Sequence, residues 1–354
     1  MGDRHPALYT PLCDLLGVRY PVVQTGMGWV AGARLTSATS AAGGLGILAS
    51  ATMDVPQLAQ AIREVKQRTA NPFGVNLRAD SVDVGERIDI MIREGVRVAS
   101  FAQAPKQDLI KKLKDAGLVV IPSIGAKRHA EKVAAWGVDA VLVQGGEGGG
   151  HTGQVATTLL LPQVCDTVDI PVIAAGGFFD GRGLVAAMAY GAAGVAMGTR
   201  FLLTSDSTVP QVVKDFYVGK AVTDTVVTKQ VDGVPHRVLR TELVDRLEAQ
   251  NPAMGFVNAL RNALAFKKLS ATPWSSILRE GVAMRKNQEL SWSQVVMAAN
   301  TPMLLKAAMV DGRPDLGVMA TGQVVGLIED LPSCAELLER IMTEADKTLR
   351  RLSS

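Results

Sequence analysis

The chain has 354 residues, 47% hydrophobic and 20% charged, with a formal net charge of +3, enough apolar material to bury a large core in one α/β domain or in two domains. So small a charge excess, with no dense Lys/Arg run interleaved with aromatics, excludes a nucleic-acid footprint. The three cysteines, Cys13, Cys165 and Cys334, lie outside any metal-ligand spacing; they read as reduced thiols of a cytoplasmic protein, and no metal is expected.

The N-terminal MGDRHPALYTP lacks the apolar core of a signal peptide. After it, short apolar runs recur with turn residues at their ends: Val22 to Thr25, Gly46 to Leu48, Phe73 to Leu77, Val96 to Phe101, Val119 to Pro122, Ala140 to Val143, Val172 to Ala174 and Gly194 to Ala196. Helical patterns lie between them at Val55 to Arg68, Val84 to Arg93, Lys106 to Ala116, Ala126 to Trp136 and Arg182 to Tyr190, with Asp54, Asp83 and Asp180 at their amino ends. The charge-free stretch Gly183 to Thr199 reads as a helix followed by a strand, since its glycines interrupt any membrane span. Eight strand–helix units predict an α/β fold of the TIM (β/α)8 type. An open doubly wound sheet is the competitor, but no GxGxxG follows the first strand.

From Ser205 to about Leu316 the alternation stops. The segment reads as a largely helical insertion after strand eight, with a hairpin at Thr225 to Val238 around Asp232-Gly233. Trp274 and Trp292 lie there with Arg261, Lys267, Lys268, Arg279, Arg285 and Lys286, a set that is a solvated helix face or a seat for phosphates. Thr321 to Ile328 lead back, and Pro332 to Arg350 reads as a closing helix. The expected partition is a barrel of 1–204 and 317–354 with a cap of 205–316.

Barrel chemistry sits at the carboxyl ends of the strands. The most informative stretch there is Gln144 to Gly153, read as the loop leaving strand six, with five glycines between Gly145 and His151. Missing Cβ atoms let a planar ring or a phosphate approach the backbone, and His151 can hold or release a proton near neutrality. Gly26, Met27 and Gly28 follow the first strand, Asn76 the third and Ser123 the fifth; Gly176 and Gly177 follow the seventh, Gly198 and Thr199 the eighth. Glycine nests after the last two strands are a usual barrel phosphate site. Asn76 and Gln144 suit the polar edge of a flat heterocycle. Together these describe FMN, although a sugar phosphate would use the same nest. Met27, Trp29 and Phe178 are apolar enough to line a space for fused rings.

PVVQTGMGWVAG, GGLGIL, PFGVN, QGGEGGGHTG, IPVIAAGGFFDG and GVAMGTRFL, in this order, resemble the nitronate monooxygenase family and the related FMN-dependent enoyl-ACP reductases. The resemblance covers the whole barrel. It implies FMN without a metal, its phosphate at Gly176, Gly177, Gly198 and Thr199, its ring near Gly26, Met27, Asn76 and Gln144, and His151 beside the flavin in the substrate site. Gly28, Ser123, Gly149 and Gly150 are further cofactor-binding candidates, and His151 is the candidate catalytic residue. One departure is local: the family commonly has Glu-Ala-Gly-Gly-His where this chain has Glu147-Gly148-Gly149-Gly150-His151. TGMGWVAGARL, GILASATM, VDGVPHRVLRTEL and SWSQVVMAANTPMLLKA are further similar to the actinobacterial branch that degrades steroid C and D rings as coenzyme A thioesters. That branch implies Cα=Cβ bond formation in a 5-hydroxy-7a-methyl-1-oxo-octahydro-indene-4-carboxyl-CoA, with NAD as the final acceptor. For such a thioester the residues offer Trp29, Phe178 and the six basic cap residues as candidate contacts, and neither a nucleic-acid nor a membrane partner is expected. A nitronate monooxygenase acting on small nitronates with oxygen, and a non-catalytic FMN-binding protein, are the competing functions. The sequence leaves the oligomeric state open, a homo-oligomer included.

Overall fold

In the computed structural model, which describes residues 4–249 and 300–354, the eight apolar runs become the eight parallel strands of a closed barrel. They are Val22–Gln24 (β1), Leu45–Ala49 (β2), Phe73–Leu77 (β3), Val98–Phe101 (β4), Val119–Ile124 (β5) and Val141–Gln144 (β6). A two-residue strand outside the barrel, Gly150–His151 (β7), comes next, so the seventh and eighth barrel strands are Val172–Ala175 (β8) and Gly194–Met197 (β9). Closure is made by β1 against β9, with Val23 opposite Ala196.

Helices follow the strands on the outside: Ala33–Ala41 (α2), Val55–Arg68 (α3), Val84–Glu94 (α4), Gln107–Asp115 (α5), Lys127–Ala135 (α6), Thr157–Cys165 (α7) and Gly181–Ala189 (α8), after an opening helix Pro11–Leu16 (α1). Residues of alternate parity divide two cores. Val22, Leu48, Val75, Val120, Val141 and Val195 face the helices, whereas Val23, Leu45, Ile47, Val98, Ile121, Leu142 and Ile173 fill the barrel. Leu12 and Leu16 of α1 join the inner cluster. A Cβ on Gly194, the first residue of β9, would meet Leu12 at 2.7 Å, so α1 closes the amino end and leaves the carboxyl end for chemistry. The charge-free stretch Gly183 to Thr199 divides into α8 and β9 as expected, and no helix among the described residues is long and apolar enough to cross a membrane.

Local signals explain most boundaries. Asp54 caps α3 by accepting from the Gln57 backbone N–H at 2.8 Å, and Gln57 answers by accepting from the Asp54 N–H. Asp180 caps α8 through Gly183 N–H. Asp83 stands at the cap of α4 but makes no cap hydrogen bond; its carboxylate accepts instead from Arg87 at 2.8 and 2.7 Å. Burial pushes that carboxyl up, yet the Arg87 and Ser81 hydrogen bonds outweigh it and hold it below the usual range. Three helices have no amphipathic signature to read: α1 is short, α2 is built of small Ala, Ser and Thr packed on most sides, and α7 contains Pro162 in an apolar run.

After Thr199–Leu202 (α9), the insertion contains Gln211–Tyr217 (α10), the expected hairpin as Thr225–Thr228 (β10) and His236–Leu239 (β11), and Glu242–Ala249 (α11). Asn300–Met309 (α12) precedes the return, and Cys334–Ser353 (α13) closes the chain with a Ser333/Glu336 capping box. Helix α13 lies so close on α8 that a Cβ at Gly181 would stand 2.3 Å from the Ile341 carbonyl. Trp274, Trp292 and the six basic residues Arg261, Lys267, Lys268, Arg279, Arg285 and Lys286 lie outside the described residues.

A tight seam of the barrel wall is α2 on β2, where a Cβ at Gly46 would stand 2.1 Å from the Thr36 carbonyl oxygen. Gly46→Ala must push the helix outward. It is expected to cost about 1–3 kcal/mol, read as a lower midpoint in thermal unfolding, whereas Gly85→Ala, with open space around it, should leave the midpoint within experimental scatter.

Candidate active site

At the carboxyl end the strand termini enclose a cavity of about 580 Å³, within the range of small-molecule sites. All the barrel residues expected at a site line it. Gly26, Met27, Gly28 and Trp29 come from the β1 turn, Asn76 from β3 and Ser123 from β5; Gln144, Gly149, Gly150 and His151 come from β6 and the segment after it; Gly176, Gly177 and Phe178 follow β8, and Gly198 and Thr199 follow β9.

The turns are shaped for close approach. Gly176 and Gly177 have φ of 91° and 87°, a left-handed conformation that side chains oppose, in consecutive residues of the kind that form an anion nest. At the β1 turn Trp29 also has positive φ, 63°, which for a bulky residue is strained backbone at a cavity wall. Its indole N–H is buried without a hydrogen-bond partner among the described residues.

Several polar groups turn inward on the protein. The Gln144 amide donates to the carbonyls of Gly149 at 3.3 Å and His151 at 3.0 Å, so its N–H side holds the glycine segment. Asn76 donates to Ser100 Oγ at 3.3 Å. Thr199 Oγ1 accepts from Gly322 N–H at 2.9 Å, tying the turn after β9 to the returning chain.

The stretch Gln144 to Gly153 is not all loop, because β7 within it pairs antiparallel with β11, His151 opposite His236 and Gly150 opposite Arg237. Arg237 fastens this junction. Its guanidinium donates to the Gly146 carbonyl at 2.9 and 3.2 Å and to Thr225 Oγ1 at 2.9 Å. A Cβ at Gly149 would lie 2.4 Å from the Thr321 carbonyl carbon, so the return segment packs directly on the same strand.

Two site residues lie in the hairpin and were not singled out as candidates: Asp232 and His236. Their signal was present in VDGVPHRV, but only the register of β11 against β7 brings them to His151. His151 Nε2 stands 2.6 Å from Asp232 Oδ2, His236 Nδ1 3.5 Å from the same oxygen, and the two imidazole centroids 4.6 Å apart. The His151 side chain is 57% exposed, those of Asp232 and His236 only 5% and 3%. Burial pushes the Asp232 carboxyl up, but the hydrogen bond it accepts from His151 and the His236 ring beside it outweigh burial and hold the group well below the usual carboxylate range. Burial, helped by the charge of His151 and opposed by Asp232, pushes His236 down and keeps it neutral near pH 7. The ligand-type atoms of the three lie within 4.8 Å of one another. A separation of 2.6 Å is shorter than the roughly 3.3 Å between two ligands of one tetrahedral ion, so the His151–Asp232 contact is a hydrogen bond.

The nitronate monooxygenase family model matches residues 9–344. The (3aS,4S,5R,7aS)-5-hydroxy-7a-methyl-1-oxo-octahydro-1H-indene-4-carboxyl-CoA dehydrogenase of Mycobacterium tuberculosis (strain ATCC 25618 / H37Rv) is 66% identical over 350 residues, 98% of this chain and 99% of that one. Its namesake from Rhodococcus jostii (strain RHA1) is 61% identical over 347 residues, 98% of each chain. Among solved structures, FabK from Thermotoga maritima superposes with a TM-score of 0.81 at 34% identity, covering 98% of both chains.

Arg237→Met keeps the length of the side chain and removes the clamp on Gly146. Hydrogen exchange in the peptide spanning Gly145 to Gly153 should then accelerate by on the order of tenfold or more, as expected for losing about 1–3 kcal/mol of charged hydrogen bonding, while exchange in β3 and β4 stays unchanged.

Proposed function

The chain belongs to the nitronate monooxygenase family, and on that footing we propose that it is an FMN-dependent oxidoreductase that introduces a Cα=Cβ double bond into a steroid-derived indene-carboxyl-CoA thioester. The observation that carries the cofactor is the cavity itself, which gathers the left-handed Gly176–Gly177 pair, the Gly198–Thr199 turn and His151 around one space. The near-full-length identity to the two dehydrogenases named for a 5-hydroxy-7a-methyl-1-oxo-octahydro-1H-indene-4-carboxyl-CoA supports the substrate. NAD is the proposed final electron acceptor.

In this reading Gly176, Gly177, Gly198 and Thr199 hold the FMN phosphate through backbone N–H groups. Gly26, Met27, Gly28, Asn76, Ser123, Gln144, Gly149 and Gly150 surround the ring, where missing side chains let a flat heterocycle lie on the backbone. FMN, when bound, supplies the acceptor for a hydride leaving Cβ. His151 serves the α-proton, Trp29 and Phe178 give apolar wall to the fused rings, and residues 205–316 form the substrate cap. The basic residues Arg261, Lys267, Lys268, Arg279, Arg285 and Lys286 include those that meet the CoA phosphates.

The test is anaerobic mixing of the purified yellow protein with indene-carboxyl-CoA thioesters and, separately, with propionate 3-nitronate. Bleaching of the flavin by the thioester is expected. Bleaching by the nitronate alone would replace the dehydrogenase reading with a nitronate monooxygenase. His151→Ala should slow reduction by roughly 10²- to 10⁴-fold with FMN still bound. Gly177→Asp, which puts a side chain and a negative charge into the nest, should yield colourless protein; full FMN occupancy in that variant would place the phosphate elsewhere.

A further inference from the structure

Resting on the dehydrogenase reading, we infer that Asp232, delivered by the insertion hairpin, is a positioning residue that holds neutral His151 with its proton on Nε2, leaving Nδ1 as the base for the α-proton of the thioester. The sequence leaves two roles for His151, a base or a hydrogen-bond donor to the thioester oxygen, and the rate losses for removing either overlap. The two roles need opposite tautomers, and Asp232 separates them.

An ionised carboxylate only accepts hydrogen bonds. Asp232 is held ionised by its surroundings, and its Oδ2 stands 2.6 Å from His151 Nε2, so Nε2 donates. In the neutral ring the other nitrogen then carries the lone pair. His151 lines the cavity and is more than half exposed, which gives that edge access to substrate and a route for the proton to leave. The second carboxylate oxygen, Oδ1, accepts from Val234 N–H at 3.1 Å. The carboxylate is thereby fixed in rotation within the Asp232-Gly233 turn, one oxygen on the backbone and the other on the imidazole.

The step is a proton transfer. The Cα–H bond breaks, the proton joins Nδ1, and the electron pair passes to the thioester as its enolate. His151 becomes an imidazolium whose charge faces the Asp232 carboxylate, as in other catalytic His–carboxylate pairs. His236, buried against the His151 ring, stays neutral and adds no second positive charge beside it.

Asp232→Asn tests this because the Val234 N–H keeps the amide oxygen on its own side and turns the amide N–H₂ towards His151. Nε2 must then accept, the ring proton moves to Nδ1, and the base is lost while a donor is gained. With the FMN of the holoenzyme reduced beforehand, no hydride can be accepted, and deuterium entry from D₂O at the thioester α-carbon reads the proton step alone. Wild type should exchange, and Asp232→Asn should exchange at least about 10²-fold more slowly with FMN content and thioester affinity unchanged. Exchange within about threefold of wild type in an FMN-replete variant would overturn the assignment. If the variant does not fold, the wild-type holoenzyme still decides: imidazole ¹⁵N shifts, assigned to His151 by their loss in His151→Gln, should report a protonated Nε2 and a bare Nδ1. The inverse tautomer sinks the proposal. This spectroscopic reading needs no substrate, so it stands or falls separately from the identity of the thioester.

Discussion

The site depends on a pairing between two short strands. Between Gly145 and His151 five of seven residues are glycine, and such a segment has more backbone freedom to lose on ordering than any other composition. Left to itself it could not hold an imidazole in place. The order comes from outside the segment: β7 takes β11 as its neighbour, Arg237 clamps the Gly146 carbonyl, the Gln144 amide gathers the carbonyls of Gly149 and His151, and Thr152 Oγ1 donates to Gly145 O. The glycines supply approach, and the insertion supplies rigidity.

The same constraint reaches the cavity wall after β9. Gln323 N–H donates to the Glu147 carbonyl at 3.0 Å, Gly322 N–H donates to Thr199 Oγ1, and the Glu147 carboxylate accepts from the backbone N–H and hydroxyl of Thr157 at the start of α7. Residues 321–323 therefore bridge the histidine segment and the turn after β9. The walls after β6 and β9 are thus tied through one returning segment, by a backbone hydrogen bond at Glu147 and by the Thr199 hydroxyl, which fixes the spacing between the turn after β9 and the histidine segment.

Much of this was legible in the chain. The eight apolar runs gave the barrel because each pairs with the barrel strand next to it in sequence, apart from the closure of the first on the last, and the turn residues at their carboxyl ends gave the cavity wall because strand direction alone puts them on one rim. The Asp232-Gly233 turn marked the hairpin correctly. What the chain did not announce was long-range register. Nothing local tells that His236 comes to lie opposite His151, 85 positions away by number, or that a glycine-rich loop would become a strand. Helices α2 and α7 were illegible for a different reason: packed on several faces, they carry no apolar stripe for periodicity to find. Gln144 and Thr199 line the cavity, yet their polar atoms are partly engaged by neighbouring backbone, a competition that residue type does not reveal.

Charge balance explains why the site gathers one carboxylate and two imidazoles of such unequal exposure. A buried carboxylate without compensation is costly, and Asp232 is nine-tenths hidden from solvent. One imidazole at hydrogen-bond distance satisfies it, while a second charged ring 4.6 Å from the first would set two cations against one anion in a place water barely reaches. Burying His236 removes that outcome by favouring its neutral form. The one well-exposed member of the trio is His151, the ring that lines the cavity.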